Sequence, residues 1–182
     1  VLKENNIQPQ KDNKVITNLD FTANAGAFSS GLGDFVQLFE PKASLLEKEG
    51  RGYVVASLGA SADPVPYTVF MSQKSYIQEN PEVVQSFTNA VYRAQNWVYN
   101  HSVEEISEVI KSYFPDTDTE ILYNVVRRYL EQDTWARNPI LSKEVFDHWQ
   151  DIVIEAGELE EKAPYKILVN TNFAEKAVEE IQ

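Results

Sequence analysis

Eleven residues, Gly31-Leu-Gly-Asp-Phe-Val-Gln-Leu-Phe-Glu-Pro41, set the tightest limits on the architecture. Two glycines separated by one residue open backbone angles closed to other side chains, so a short helix over Ala23 to Ser30 is expected to stop there and the chain to turn. Phe35 to Phe39 then reads as a strand. Glu40 stands at its C-terminal end, and Pro41, which cannot continue a strand, can open a helix at its first position. In open α/β sheets ligands bind beyond the carboxyl ends of the strands, which makes Glu40 a candidate ligand contact. A structural carboxylate paired with a Lys or Arg is the alternative. Phe39, beside it, either stacks a flat ligand or packs.

The flanking sequence extends the alternation. Val15 to Leu19, Phe35 to Phe39 and Tyr53 to Leu58 read as strands, with helices over Ala25 to Ser30 and Ala43 to Glu49, the second ended by Gly50. Such alternation predicts βαβ units and a parallel sheet. Gly59-Ala-Ser-Ala-Asp-Pro-Val-Pro66 has the composition of a linker. From Gln78 the pattern becomes helical. Asn80 and Pro81 open a long helix whose apolar residues, among them Val84, Phe87, Val91 and Val98, recur at helical spacing. Ser102 with Glu105, and Thr117 with Glu120, each form a capping-box pattern ahead of an apolar run. A further helix is predicted from Ser142 to near Gly157, and a short last one from Asn172. The opening Val1 to Ile7 reads as the last turns of a helix followed by a turn.

Composition excludes several function classes. A formal charge of −12, with no dense run of Lys or Arg, argues against nucleic acid. The chain has no cysteine, hence no disulfide, thiolate metal site or cysteine nucleophile. His101 and His148 lie apart, without a second ligand at metal spacing, and HExxH, GxSxG and phosphate-binding glycine loops are missing from the sequence. Neither a catalytic residue nor a metal ligand nor a cofactor is therefore predicted. No apolar run reaches the ~20 residues needed to span a bilayer. Acidic pairs such as Glu104-Glu105 read as solvated helix faces.

Two other places stand out. The loop Asp20-Phe-Thr-Ala-Asn24 leads into a helix whose N-terminal N–H groups favour an anion or polar acceptor, and Thr22 and Asn24 either bond a ligand or simply cap. Tyr67 and Thr68 lie in an apolar run, Tyr67 to Met71, that reads as a strand, and a backbone or phenol contact from them is a candidate to reach a ligand cleft.

The ordered succession of Val15 to Leu19, Gly31-Leu-Gly-Asp34, Glu40-Pro41, Gly52-Tyr-Val-Val-Ala, Pro66-Tyr-Thr-Val-Phe70 and Asn80-Pro-Glu-Val-Val-Gln-Ser-Phe-Thr-Asn-Ala90 resembles the solute-binding proteins of ABC importers. The closest subgroup serves nitrate, sulfonates, taurine and thiamine pyrimidine precursors. The resemblance implies a partial periplasmic-binding-protein-like type II α/β fold, with a parallel or mixed sheet lobe followed by a helix-rich C-terminal part. It divides the chain into part of a second lobe (1–60), an interlobe crossover (61–77) and a helical part packing on a first lobe (78–182). Asp34 matches the family's Gly-x-x-Asp turn residue. The implied role is extracytoplasmic capture of a small molecule, without enzymatic activity or cofactor, for delivery to an ABC permease. Membrane attachment would run only through an N-terminal lipid anchor outside this chain. Among ligands, Glu40 favours an amino-substituted heterocycle over an anion, which an unpaired carboxylate would repel. Ligand-binding residues on this reading are Thr22, Asn24, Phe39, Glu40, Tyr67 and Thr68. An anion receptor of the same family and a ligand-sensing domain of a transcription regulator are the rival readings.

Overall fold

The computed structural model describes residues 2–181. Its helices are α1 (Asn24–Ser29), α2 (Lys42–Lys48), α3 (Lys74–Glu79), α4 (Pro81–Tyr99), α5 (Val103–Ile110), α6 (Thr119–Glu131), α7 (Lys143–Glu155), α8 (Tyr165–Leu168) and α9 (Asn172–Glu180), with 3-10 turns at Lys3–Asn5, Phe21–Ala23 and Lys111–Tyr113. They fall into two compact units. The first joins Val1–Ala62 to Ser102–Thr134, and the second joins Asp63–His101 to Trp135–Gln182.

The expected sheet does not form. Among the described residues β-pairing is confined to one isolated bridge, Pro9 to Asn13, so the α/β fold with a parallel or mixed sheet lobe is replaced by helices joined by extended stretches. Segments 15–19, 35–39, 53–58 and 67–71 are free of helix, as their β-branched and aromatic residues predict, but a strand exists only through a hydrogen-bonded neighbour. Here that neighbour is missing. Phe35 is 81% exposed, Tyr53 84% and Met71 89%, whereas a sheet would cover them.

The first unit takes its core from α5 and α6. Ile106 on α5 meets the apolar stripe of α6, where Ile121, Leu122 and Val126 are almost wholly enclosed. At about 1.5–3 kcal/mol for each fully buried aliphatic side chain, this stripe is a major stabilising contribution to the unit. Helix α2 also packs on α6 and buries Leu46. Ser102 starts α5 with a complete capping box, its Oγ accepting from Glu105 N at 3.2 Å while its own N–H donates to Glu105 Oε2 at 2.9 Å. The second predicted box does not form. Helix α6 begins after Asp118 rather than Thr117, and the Asp118 carboxylate accepts from Lys48 Nζ at 2.7 Å instead of capping. An ion pair across to α2 has won over the local cap.

The second unit is built on α4 and α9. Ala174 and Ala177 on α9 are buried, and their small side chains let the two helices approach closely. Gln85 on α4 fastens the contact by donating Nε2 to the Phe173 carbonyl at 2.9 Å. Asn80 occupies the N-cap of α4 and Pro81 its first position, although the Asn80 amide donates back to the Tyr76 carbonyl rather than capping. Helix α7 opens on Ser142, whose Oγ accepts from Val145 N at 3.2 Å. Its buried Gln150 accepts from Ala163 N at 2.6 Å, which pins the chain ahead of α8. Gly157, at φ +78, ends α7 in the left-handed conformation that only glycine adopts without strain.

The opening residues form a 3-10 turn ended by Asn6 at φ 59, consistent with a helical turn followed by a bend; Val1 lies outside the described residues. Among the described residues no helix is long and apolar enough to cross a membrane.

Candidate functional site

Glu40 sits in a polar cluster of the first unit that joins α2 to α6. Pro41 stands at the N-cap of α2, one position earlier than its sequence suggested, and has no side-chain acceptor to offer the helix. The carboxylate of Glu40 supplies one from the preceding position. Its Oε2 accepts from Ser44 N at 2.9 Å and its Oε1 from Ser44 Oγ at 3.0 Å.

Arg128 completes the cluster from α6. Its Nη1 donates to Glu40 Oε1 and to Ser44 Oγ, both at 2.9 Å, and its Nη2 forms an ion pair with Glu47 Oε2. The side chains of Glu40 and Arg128 are 7% and 19% exposed, so the pair is largely withdrawn from water. Burial lowers the affinity of the Arg128 guanidinium for its proton, but the hydrogen bonds to Glu40 and Glu47 outweigh it and hold the group above its ordinary value. The hydrogen bond from Arg128, followed by one from Val54 N at 3.2 Å, holds the Glu47 carboxyl below its usual range. Three donors, Ser44 N, Ser44 Oγ and Arg128 Nη1, converge on Glu40, which joins α2 to α6.

The loop before α1 also caps itself. Asp20 Oδ1 accepts from Thr22 N at 2.8 Å and from Thr22 Oγ at 2.6 Å, and these bonds lower its pKa, the hydroxyl more than the amide. Negative charge is therefore already present where a helix N-terminus would attract an anion. Asn24 is half-buried in the first turn of α1.

Phe39 lies against Phe21, with ring centroids 5.2 Å apart and planes tilted by 49°. Both rings remain partly open, at 41% and 46%. Directly before this loop, Lys14 to Leu19 together with Leu32 line a shallow concavity of about 410 Å³. The first unit thus holds Thr22, Asn24, Phe39 and Glu40. Tyr67 and Thr68 belong to the second unit, where both are exposed.

Sequence reasoning named neither Arg128, Ser44 and Glu47 nor Phe21. Ser44 and Glu47 follow Glu40 at helical spacing, a signal that was legible. Arg128 lies 88 residues from Glu40 on an amphipathic helix, and nothing local marks it. No group of three His, Asp or Glu side chains among the described residues is placed to hold a metal ion. His101 stacks on Trp97, with centroids 4.2 Å apart, and its Nδ1 lies 2.7 Å from the Trp97 carbonyl.

Compared with known proteins, residues 1–112 match the NMT1-like family. The chain belongs to that family. A relative in Bacillus subtilis (strain 168), YtlA, whose name marks it as a candidate binding protein, is 44% identical over 180 residues, covering 99% of this chain and 54% of its own length. The chain therefore spans about half the length of the curated relative it matches. No solved structure matches it.

Proposed function

We propose that this chain forms part of the extracytoplasmic substrate-binding component of an ABC importer, one that captures a flat, amino-substituted heterocycle such as a thiamine pyrimidine precursor and presents it to a permease. Membership of the NMT1-like family, with a candidate binding protein as relative, is the observation that carries this reading. In the first unit the Phe21–Phe39 pair offers a partly open aromatic face, and Asp20, ionised at neutral pH, adds a hydrogen-bond acceptor close to it in sequence. Phe39, Thr22 and Asn24 are the contacts this reading retains. Glu40 acts instead by holding α2 in place.

A specific observation favours the anion receptor as a second reading. Sequence alone disfavoured an anion because an unpaired carboxylate at Glu40 would repel it, and Glu40 is paired with Arg128. Differential scanning fluorimetry with amino- and hydroxymethyl-pyrimidines, nitrate, taurine and other sulfonates separates the two. A thermal shift with the pyrimidines alone is the expected result. A shift with nitrate or sulfonates alone transfers the function to anion uptake, and no shift with any of them overturns both readings.

A further inference from the structure

Two carboxylates flank the Phe21–Phe39 pair in the sequence, Asp20 directly before one ring and Glu40 directly after the other, and the fold treats their charges differently. Glu40 is compensated by Arg128 at 2.9 Å. Asp20 meets no cation among the described residues. Its Oδ1 accepts from the amide and the hydroxyl of Thr22, those two bonds are what lower its pKa, and its Oδ2 is left without a partner. Neither Lys14, which lines the concavity ahead of this loop, nor Lys42, which opens α2, is paired with it.

The backbone ties this charge to the rings. Asp20 is the N-cap of the 3-10 turn that Phe21 begins, and consecutive Cα atoms are about 3.8 Å apart, so carboxylate and ring lie within the span of one small molecule. Both groups attract a cation. The face of an aromatic ring carries negative quadrupole charge that draws a positive group toward it, and the ionised carboxylate adds direct attraction. A neutral ring gains neither contribution, and an anion is repelled by both.

On the basis of the proposed heterocycle capture, we infer that this aromatic face selects its ligand in a cationic form, a protonated amino-substituted ring, and that Asp20 is the residue that sets the charge preference. An amino substituent feeds electrons into a pyrimidine, so a ring nitrogen takes up a proton and the positive charge spreads over the flat system. Such a ring can stack on Phe21 or Phe39 while an N–H donates to the open Oδ2 of Asp20. The same two groups oppose nitrate and sulfonates, although Glu40, being paired, does not.

Two probes of one shape separate charge from stacking: 4-amino-1-methylpyridinium, which is permanently cationic, and 4-methylaniline, its neutral counterpart. In titrations of the protein followed by NMR near neutral pH and at low salt, the cation is expected to bind about fivefold more tightly. Asp20→Asn keeps an oxygen to accept from Thr22 but loses the charge, so it should bring the two affinities together at a nearly unchanged melting temperature. Phe39→Ala should weaken both probes. Equal or tighter binding of the neutral probe by the parent overturns the charge selection while leaving the aromatic site standing, and so does a cation preference that survives Asp20→Asn. Binding of neither probe overturns the charge selection together with the heterocycle reading.

Discussion

Arg128 Nη1 lies 2.9 Å from Glu40 Oε1, and this bond closes the first unit across 88 residues of sequence. Glu40 also caps α2, so one carboxylate fixes both the start of that helix and its attachment to α6. Removing one partner of a buried pair leaves the other charge without compensation. Arg128→Ala is accordingly expected to destabilise the protein by about 3 kcal/mol, and more than Glu47→Ala does. Urea unfolding measures both, and an Arg128→Ala variant as stable as the parent would show that the pair contributes nothing.

Acid should weaken the same cluster. The folded-state pKa of Glu47 lies below its ordinary value of 4.5, chiefly through the hydrogen bond from Arg128. A depressed carboxyl contributes stability that is present above the unfolded pKa and is lost as pH falls through the folded one. Stability should therefore decline below about pH 4.5, and Glu47→Gln should flatten that part of the curve. An identical acid slope in the variant and the parent excludes Glu47 as a source.

The two predicted capping boxes give an internal comparison. Ser102 and Glu105 close theirs in both directions, whereas Asp118 has turned its carboxylate to Lys48. Ser102→Ala should cost about 1 kcal/mol by thermal or chemical unfolding. Asp118→Ala should cost less, because its exposed ion pair is screened by salt and no cap is lost. A larger loss from Asp118→Ala than from Ser102→Ala would reverse the assignment.

How far the sequence could be read follows from the range over which each signal acts. Asn80-Pro81, Ser102 with Glu105, and Gly157 are local punctuation, and each marks a helix boundary the structure bears out. The apolar run after Thr117 and Glu120 contains Ile121, Leu122 and Val126, which are buried on α6, together with Val125, Tyr129 and Leu130, which are only half-buried. Strands behave differently. Tyr53-Val-Val-Ala has the residues of a buried strand, yet strand formation depends on a partner that no window of sequence contains. Glu40 shows the same limit at the candidate site: its position at the end of an apolar run was legible, but the arginine it pairs with lies on a distant helix.

Glu40 and Phe39 are adjacent in sequence yet should respond to mutation in different ways. Glu40→Gln removes the charge that holds Arg128, so it should lower the melting temperature of the free protein while leaving the ligand-induced increment in place. Phe39→Ala removes a ring that is 41% exposed and already packed against Phe21. It should disturb the free protein less and, if the ring stacks the ligand, weaken binding about tenfold, the equivalent of roughly 1.4 kcal/mol. Calorimetric titration of both variants with a hydroxymethyl-pyrimidine separates the roles. Binding abolished by Glu40→Gln at an unchanged melting temperature would return Glu40 to the ligand, because a carboxylate that only braces α2 against α6 cannot be lost without cost to stability.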